Sequence, residues 1–303
     1  MAAHYSGNDR FPNRALLAIN SSMAILSIQS AVAYGHVGNS AAVFPLQRLG
    51  HEVWPVDTVQ LSNHTGYGAA RGRAWDAETL AEVIHGIGER GVFQRCDAVL
   101  SGYLGEATLG EVVLEAVVQV KTANPMARYC CDPVIGDDHS GIFVQPGIVE
   151  FFRDRALPMA DIITPNRFEL SLLADRPVTD VAEALAAAAA LRRRGPRLVL
   201  ATSLAGAAAD EIAMLAADDD SAWLVATPRL PPIANGAGDL AAALFLGAWL
   251  RTPDLAAALG DATSAIYAVI EATQRAGAAE LQLVAAQEAL VSPPRRFTPR
   301  RVA

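Results

Sequence analysis

The sequence predicts a three-layer α/β domain in which a mostly parallel central sheet carries helices on both faces. Short β-rich runs alternate along the chain with longer Ala-, Glu- and Leu-rich segments, the pattern of strands joined by crossover helices. Of the 303 residues 52% are hydrophobic and 18% charged, enough apolar material for a large core without disulfides or metals. No internal repeat or long linker interrupts the alternation. One domain over 21–291 is therefore expected, with a polar extension over 1–20 and a basic tail over 292–303 that reads as a solvated end.

Each element has a local reason. A β-rich run predicts a strand over 23–28, and a helix over 38–49 is closed by Gly50. The strand over 51–59 leads into a polar loop, 62–73, and Asp76 is placed to N-cap a helix reaching Glu89. A buried strand over 97–101 precedes a helix over 108–120. The strand over 128–131 ends at Asp132-Pro133, and a helix over 146–155 leads to a strand over 161–163. Pro165 opens a short helix over 166–174. Thr179 is expected to cap an Ala-rich helix whose last turn carries Arg192, Arg193 and Arg194, cations that suit the helix dipole. A strand over 197–201 is followed by an antiparallel hairpin, 211–216 with 222–226, around the turn 218–221. Two or three helices complete the chain, including 240–250 and one announced by Thr252-Pro253.

Composition excludes several classes of partner. With 24 basic and 32 acidic residues, a net charge of −8, the chain lacks the concentrated basic face that phosphate backbones need, so no nucleic acid is expected. The longest apolar run, 240–250, is bounded by Asp239 and Arg251 and falls short of the roughly 20 residues that span a bilayer. Cys96, Cys130 and Cys131 form neither a disulfide framework nor a CxxC site, and read as thiols inside strands in a reducing, cytoplasmic compartment. Arg10 and Arg14 ahead of the apolar stretch 15–28 mimic a signal peptide, but Asn20, Ser21 and Ser22 break that stretch.

Four strings carry chemistry. Gly236-Ala237-Gly238-Asp239 directly precedes the apolar helix. Two glycines at a helix start let backbone N–H groups point at an anion, and the carboxylate beside them can contact a substrate hydroxyl. Asn166 and Glu169 share one face of a first helical turn, where Glu169 could hold hydrated Mg²⁺, an ion that prefers one or two carboxylates with waters and phosphates. Pro133 holds Asp132 extended and aims its carboxylate beyond the sheet. The uncharged, glycine-rich segments 29–40 and 62–68, with His36 and His64, suit a small polar, partly aromatic ligand. Taken singly, each string is as well read as a turn, a helix cap or a structural histidine.

Together and in this order they resemble the pyridoxal kinases of the ribokinase-like superfamily. The strings are Gln29-Ser30 with GHVGNSAA at 35–42, VWPVDTVQLSNHTGYG at 53–68, DAVLSGYLG at 97–105, CDPVIG at 131–136, ITPNRFEL at 163–170 and NGAGD at 235–239. The resemblance spans about 24–290 and implies a ribokinase-like fold. It also implies ATP-dependent phosphorylation of the 5′-hydroxymethyl group of pyridoxal, with Mg²⁺ and in some members a monovalent cation such as K⁺, in a homodimer. By position it places Ser30 on the pyridine ring, Val59 and Tyr103 beside it, and Thr65 and Gly66 in the same pocket. Asp132, Thr164 and Glu169 fall on the ATP–Mg²⁺ side, and Thr202, Thr227, Pro228, Arg229 and Leu230 near the nucleotide. Asp239 matches the catalytic aspartate, with Gly236, Ala237 and Gly238 as the anion hole. Thr202 stands where close relatives often carry lysine. A hydroxymethylpyrimidine-type kinase, or a non-catalytic binder of pyridoxal phosphate, are the alternatives.

Overall fold

A computed structural model describes residues 22–231 and 235–303; the extension over 1–20, with its signal-like pattern, lies outside them. The first half contains β1 (Ala24–Val32), α1 (Asn39–Arg48), β2 (Glu52–Leu61), β3 (Gly72–Ala74), α2 (Ala77–Gly88), β4 (Cys96–Ser101), α3 (Ala107–Ala123) and β5 (Arg128–Cys131). A small hairpin follows, β6 (Gly136–Asp137) with β7 (Gly141–Ile142), then α4 (Ile148–Phe151), α5 (Leu157–Met159), β8 (Ile162–Ile163) and α6 (Arg167–Ala174). The remainder is α7 (Val181–Arg192), β9 (Leu198–Ala205), β10 (Glu211–Ala217), β11 (Ala222–Pro228), α8 (Ala237–Arg251), α9 (Leu255–Arg275), α10 (Gln287–Val291) and β12 (Arg300–Arg301).

One sheet runs β12-β11-β10-β9-β8-β5-β4-β1-β2-β3. Its six central strands, β2 to β9 in that order, are parallel, while β3 at one edge and β10, β11 and β12 at the other are antiparallel. Side chains alternate between two apolar layers, as the period of a strand requires. Leu26, Ile28 and Val199 pack with residues of α2 to α7 on one face. Ile25, Leu198 and Leu200 pack with α1, α8, α9 and α10 on the other. Burial on both faces is why β1 is apolar or small at nearly every position. The three cysteines are free and buried in β4 and β5, as expected.

Asp76 accepts from the Thr79 N–H as anticipated, but other details depart from the sequence reading. The loop 62–73 contains a helical turn at Thr65–Tyr67 and ends in β3, whose three residues are too few to leave a periodic signal. Asp180, not Thr179, caps α7; Thr179 instead donates from its N–H and hydroxyl to Glu183. Likewise Asp254 caps α9. The helix expected over 146–155 begins at Ile148 and runs through a π-helical turn, Phe152–Ala156, to Met159, with Pro158 tolerated near the start of α5. By length and composition alone the 21-residue α9 could cross a membrane, an 18-residue window of it having mean hydropathy 1.3, although Asp261 and Glu271 interrupt its apolar run. It is 67% buried and supplies much of one apolar layer, so its composition is that of a core helix.

The largest addition concerns the tail, which is mostly exposed as expected but ordered along the sheet edge. Arg300 and Arg301 pair with Leu224 and Trp223, and the N–H groups of Val302 and Ala222 close the ladder at 2.8 and 3.1 Å. Phe297 packs edge-on against Tyr267 with Arg295 over both rings, and Arg296 meets Asp261 at 2.6 Å. Four arginines hid a strand whose task is to cover an open sheet edge. Deleting 297–303 is expected to remove about 2–4 kcal/mol through those hydrogen bonds. Differential scanning fluorimetry should then show a melting temperature lower by several degrees, with kcat at 25 °C kept.

Candidate active site

The carboxyl ends of β1, β4, β5, β8 and β9 open onto one edge of the sheet, where open α/β sheets bind ligands. Two helices also begin there. α8 starts after Gly236 (φ +95°) and α1 after Gly38 (φ +52°), and neither start is capped by a side chain. Both positions demand glycine for a second reason: a Cβ on Gly236 would collide with the His36 carbonyl, and one on Gly38 with the Ser30 carbonyl. A Cβ on Gly238 would meet nothing within 4 Å, and no side chain caps the N–H groups of the first turn of α8.

Asp239 lies in that first turn and is partly exposed. Burial pushes its carboxyl up to about 6, against the hydrogen bond it receives from the Gly38 N–H. Asp132 follows β5 and is buried, with the Thr164 hydroxyl donating to its Oδ1 at 2.7 Å. Burial drives its carboxyl well above the usual range, and the charges of Glu169 and Asp239 add to that. Three acids from separate elements thus converge closely enough to feel one another.

Glu169 is only 4% exposed, unlike the surface acid of a plain helix cap. It forms a capping box with Asn166: the Asn166 Oδ1 accepts from the Glu169 N–H at 3.0 Å, and the Asn166 N–H donates to Glu169 Oε2 at 2.9 Å. Its Oε1 accepts from the N–H groups of Ile135 and Gly136 at 2.9 and 3.4 Å. This staples the segment after Asp132 to α6. Burial raises Glu169 to about 8 in spite of these bonds, with Asp239 adding to the shift.

On the other side of Asp239, Ser30 and Val59 are buried and Tyr103 half-buried. The Thr58 hydroxyl holds the Tyr103 carbonyl at 2.7 Å, and Gly105 (φ +83°) packs against Val59. Thr65 and Gly66 are exposed in their helical turn; a side chain on Gly66 would strike Asn235 and His64. The structure therefore joins the 62–68 turn to the 235–239 turn. The nucleotide-side residues are more dispersed. Thr202 is buried beside Asn166, its N–H donating to the Pro165 carbonyl at 2.9 Å. Thr227, Pro228 and Leu230 stand at the same edge, with β10 between them and β9. Arg229 turns back, its guanidinium donating to the Glu211 carbonyl at 3.2 Å.

Sequence reading missed Glu280. Buried between α9 and α10, its carboxylate accepts from the His36 N–H (3.0 Å), His64 Nε2 (2.8 Å) and the Tyr67 hydroxyl (2.7 Å). Burial opposes its charge, but those hydrogen bonds outweigh it and hold Glu280 below the usual range. Its partners lie more than 200 residues away in sequence, and an acid within an apolar run was the sole signal.

A family model described as phosphomethylpyrimidine kinase matches residues 74–283. The chain is 60% identical over 282 residues to a pyridoxal kinase PdxY of Rubrobacter xylanophilus, covering 92% of this chain and 97% of that one. It is 52% identical over 286 residues to the same-named protein of Deinococcus radiodurans, covering 92% and 96%. Among solved structures, the pyridoxal kinase of Leishmania donovani in complex with ADP and ginkgotoxin superposes with a TM-score of 0.87 at 30% identity, over 93% of this chain and 100% of that one. Fold and sequence agree, and the chain belongs to the pyridoxal kinase family of the ribokinase-like superfamily.

Proposed function

We propose that this chain transfers the γ-phosphoryl group of ATP to the 5′-hydroxymethyl group of pyridoxal, forming pyridoxal 5′-phosphate, with Asp239 and the N–H groups of 236–239 at the reacting atoms. The observation that carries this is the meeting of Asp239 with an uncapped helix start and two further buried acids. Phosphoryl transfer passes through a loose transition state, so positioning and charge stabilisation do most of the work. An alcohol lies roughly 10 pKa units above a carboxyl held near 6, so ground-state deprotonation is negligible. Asp239 orients the hydroxyl and accepts its proton late, as the O–P bond forms. The N–H groups of 236–239 donate to the phosphoryl oxygens as charge redistributes. Ser30 holds the pyridine ring, Val59 and Tyr103 flank it, and Thr65 and Gly66 line the same pocket. Thr164, Thr202 and the 227–230 segment border the nucleotide, with the Arg229 N–H and guanidinium engaged instead by the Asp210 and Glu211 carbonyls.

A net charge of −8 opposes a polyphosphate unless a cation intervenes. The acids Asp132 and Glu169 fit hydrated Mg²⁺. Among the described residues no three acidic, His or Cys side chains gather closely enough to ligate an ion directly, which suits contact through water. When bound there, Mg²⁺ would supply positive charge to offset that of the nucleotide's phosphates. Family membership supports a homodimer, a monovalent cation such as K⁺ and, with three free thiols, a cytoplasmic setting.

The test is a coupled assay with ATP, Mg²⁺ and, separately, pyridoxal, pyridoxine, pyridoxamine and hydroxymethylpyrimidine. Pyridoxal should exceed hydroxymethylpyrimidine in kcat/KM, as 49–60% identity to pyridoxal kinases favours; the reverse order would support the pyrimidine kinase that the family model names. No turnover with either would indicate a binding protein. The pH profile adds a second check. Because burial raises Asp239 to about 6 and its ionised form is the active one, kcat/KM should rise with pH through that value and then level.

A further inference from the structure

We propose that Glu280 is a positioning residue for phosphoryl transfer, one that locks the 62–68 turn to the 235–239 turn through His64. The proposal rests on the reading of the site given above. Leu281 and Leu283 are fully buried and anchor the segment, so the Glu280 carboxylate is aimed from a fixed point. Its hydrogen bonds run to the loop at His36 and the turn at 64–67, both at the substrate side of Asp239. The backbone approaches closely enough that Gly35 (φ +99°) could not carry a Cβ without striking the carboxylate. His64 transmits the constraint. With Nε2–H donating to Glu280, its Nδ1 is left an acceptor, and Asn235 Nδ2 meets that atom at 3.0 Å. The ring also stacks on Tyr67, with centroids 4.7 Å apart. The acid fixes the tautomer, the tautomer fixes the Asn235 amide, and Asn235 adjoins the Gly236 turn from which α8 begins. Substrate cover and anion hole are thereby set in register.

Glu280→Gln in the full chain keeps one acceptor and turns an amide against a donor. The expected result is a fall in kcat with pyridoxal of about 10–100-fold, the scale of a small misplacement of reacting groups. KM for ATP should stay within a few-fold. The ratio of ATP hydrolysed without pyridoxal to pyridoxal phosphorylated should rise, because a loosened turn admits water. Asn235→Ala should lose activity similarly, and the double variant should be no worse than the poorer single one, since the relay breaks once. If Glu280→Gln does not fold, Asn235→Ala combined with His64→Phe runs the same cycle. Additive losses, or equal proportional losses in both reactions, would overturn the proposal. Turnover of pyridoxal by the parent chain tests the reading of the site separately: parental activity with additive losses defeats the role of Glu280 alone.

Discussion

Asp239→Asn is expected to lower kcat with pyridoxal by about 10²–10⁴-fold, the range for a positioned acid–base group, without weakening the fold. Asparagine fills the same space and still accepts from the Gly38 N–H, but it cannot take up the hydroxyl proton. The stability half follows from the sign of the shift. A carboxyl raised from 3.8 to about 6 binds its proton more tightly in the folded chain than in the unfolded one. Its contribution therefore favours the fold at low pH and fades as pH rises through that interval. Asparagine carries no such loss, and it removes one of the charges acting on Asp132 and Glu169. At pH 7.5 the variant should melt no lower than the parent, as scanning calorimetry would show. Parental turnover in this variant would remove Asp239 from the reaction.

Glu169→Ala should do the opposite and strike stability hardest. Three N–H groups, those of Ile135 and Gly136 buried and that of Asn166 partly so, lose their acceptor, at about 1–3 kcal/mol each. Against this, removing a buried acid relieves repulsion. A carboxyl raised to about 8 is largely protonated at pH 7, however, so the relief is small and the lost bonds win. A net loss of about 3–6 kcal/mol corresponds to a melting temperature lower by roughly 10 °C or more in a chain of this size. Asp132→Asn is the control: its remaining oxygen still accepts from Thr164, so its melting temperature should change much less while ATP turnover falls. An unchanged melting temperature in Glu169→Ala would show that the capping box does not secure the segment after Asp132.

What could be read in advance was whatever is encoded locally. Asp76 and the Asn166/Glu169 spacing announce helix starts because caps act within one turn, and the hairpin at 218–221 was legible from its turn residues. The two glycines before Asp239 likewise mark a helix mouth. What escaped depends on partners distant in the chain. β12 has meaning only because β11 leaves an edge open, and its arginines look like solvated charge. Thr179 and Asp180 both suit a cap, and only the folded geometry selects Asp180. Glu280 acquires a role from residues 213 to 244 positions earlier, which no periodicity reports.

Both borders of the ten-stranded sheet end in very short exposed strands bearing arginine, Arg73 in β3 and Arg300 with Arg301 in β12. Brief, cationic margins discourage intermolecular strand addition and thus aggregation of newly made chains. Their cover is local, β3 reaching only Val59, Gln60 and Leu61 of β2 and β12 only Trp223 and Leu224 of β11, so the guard at each rim rests on charge as well as on length.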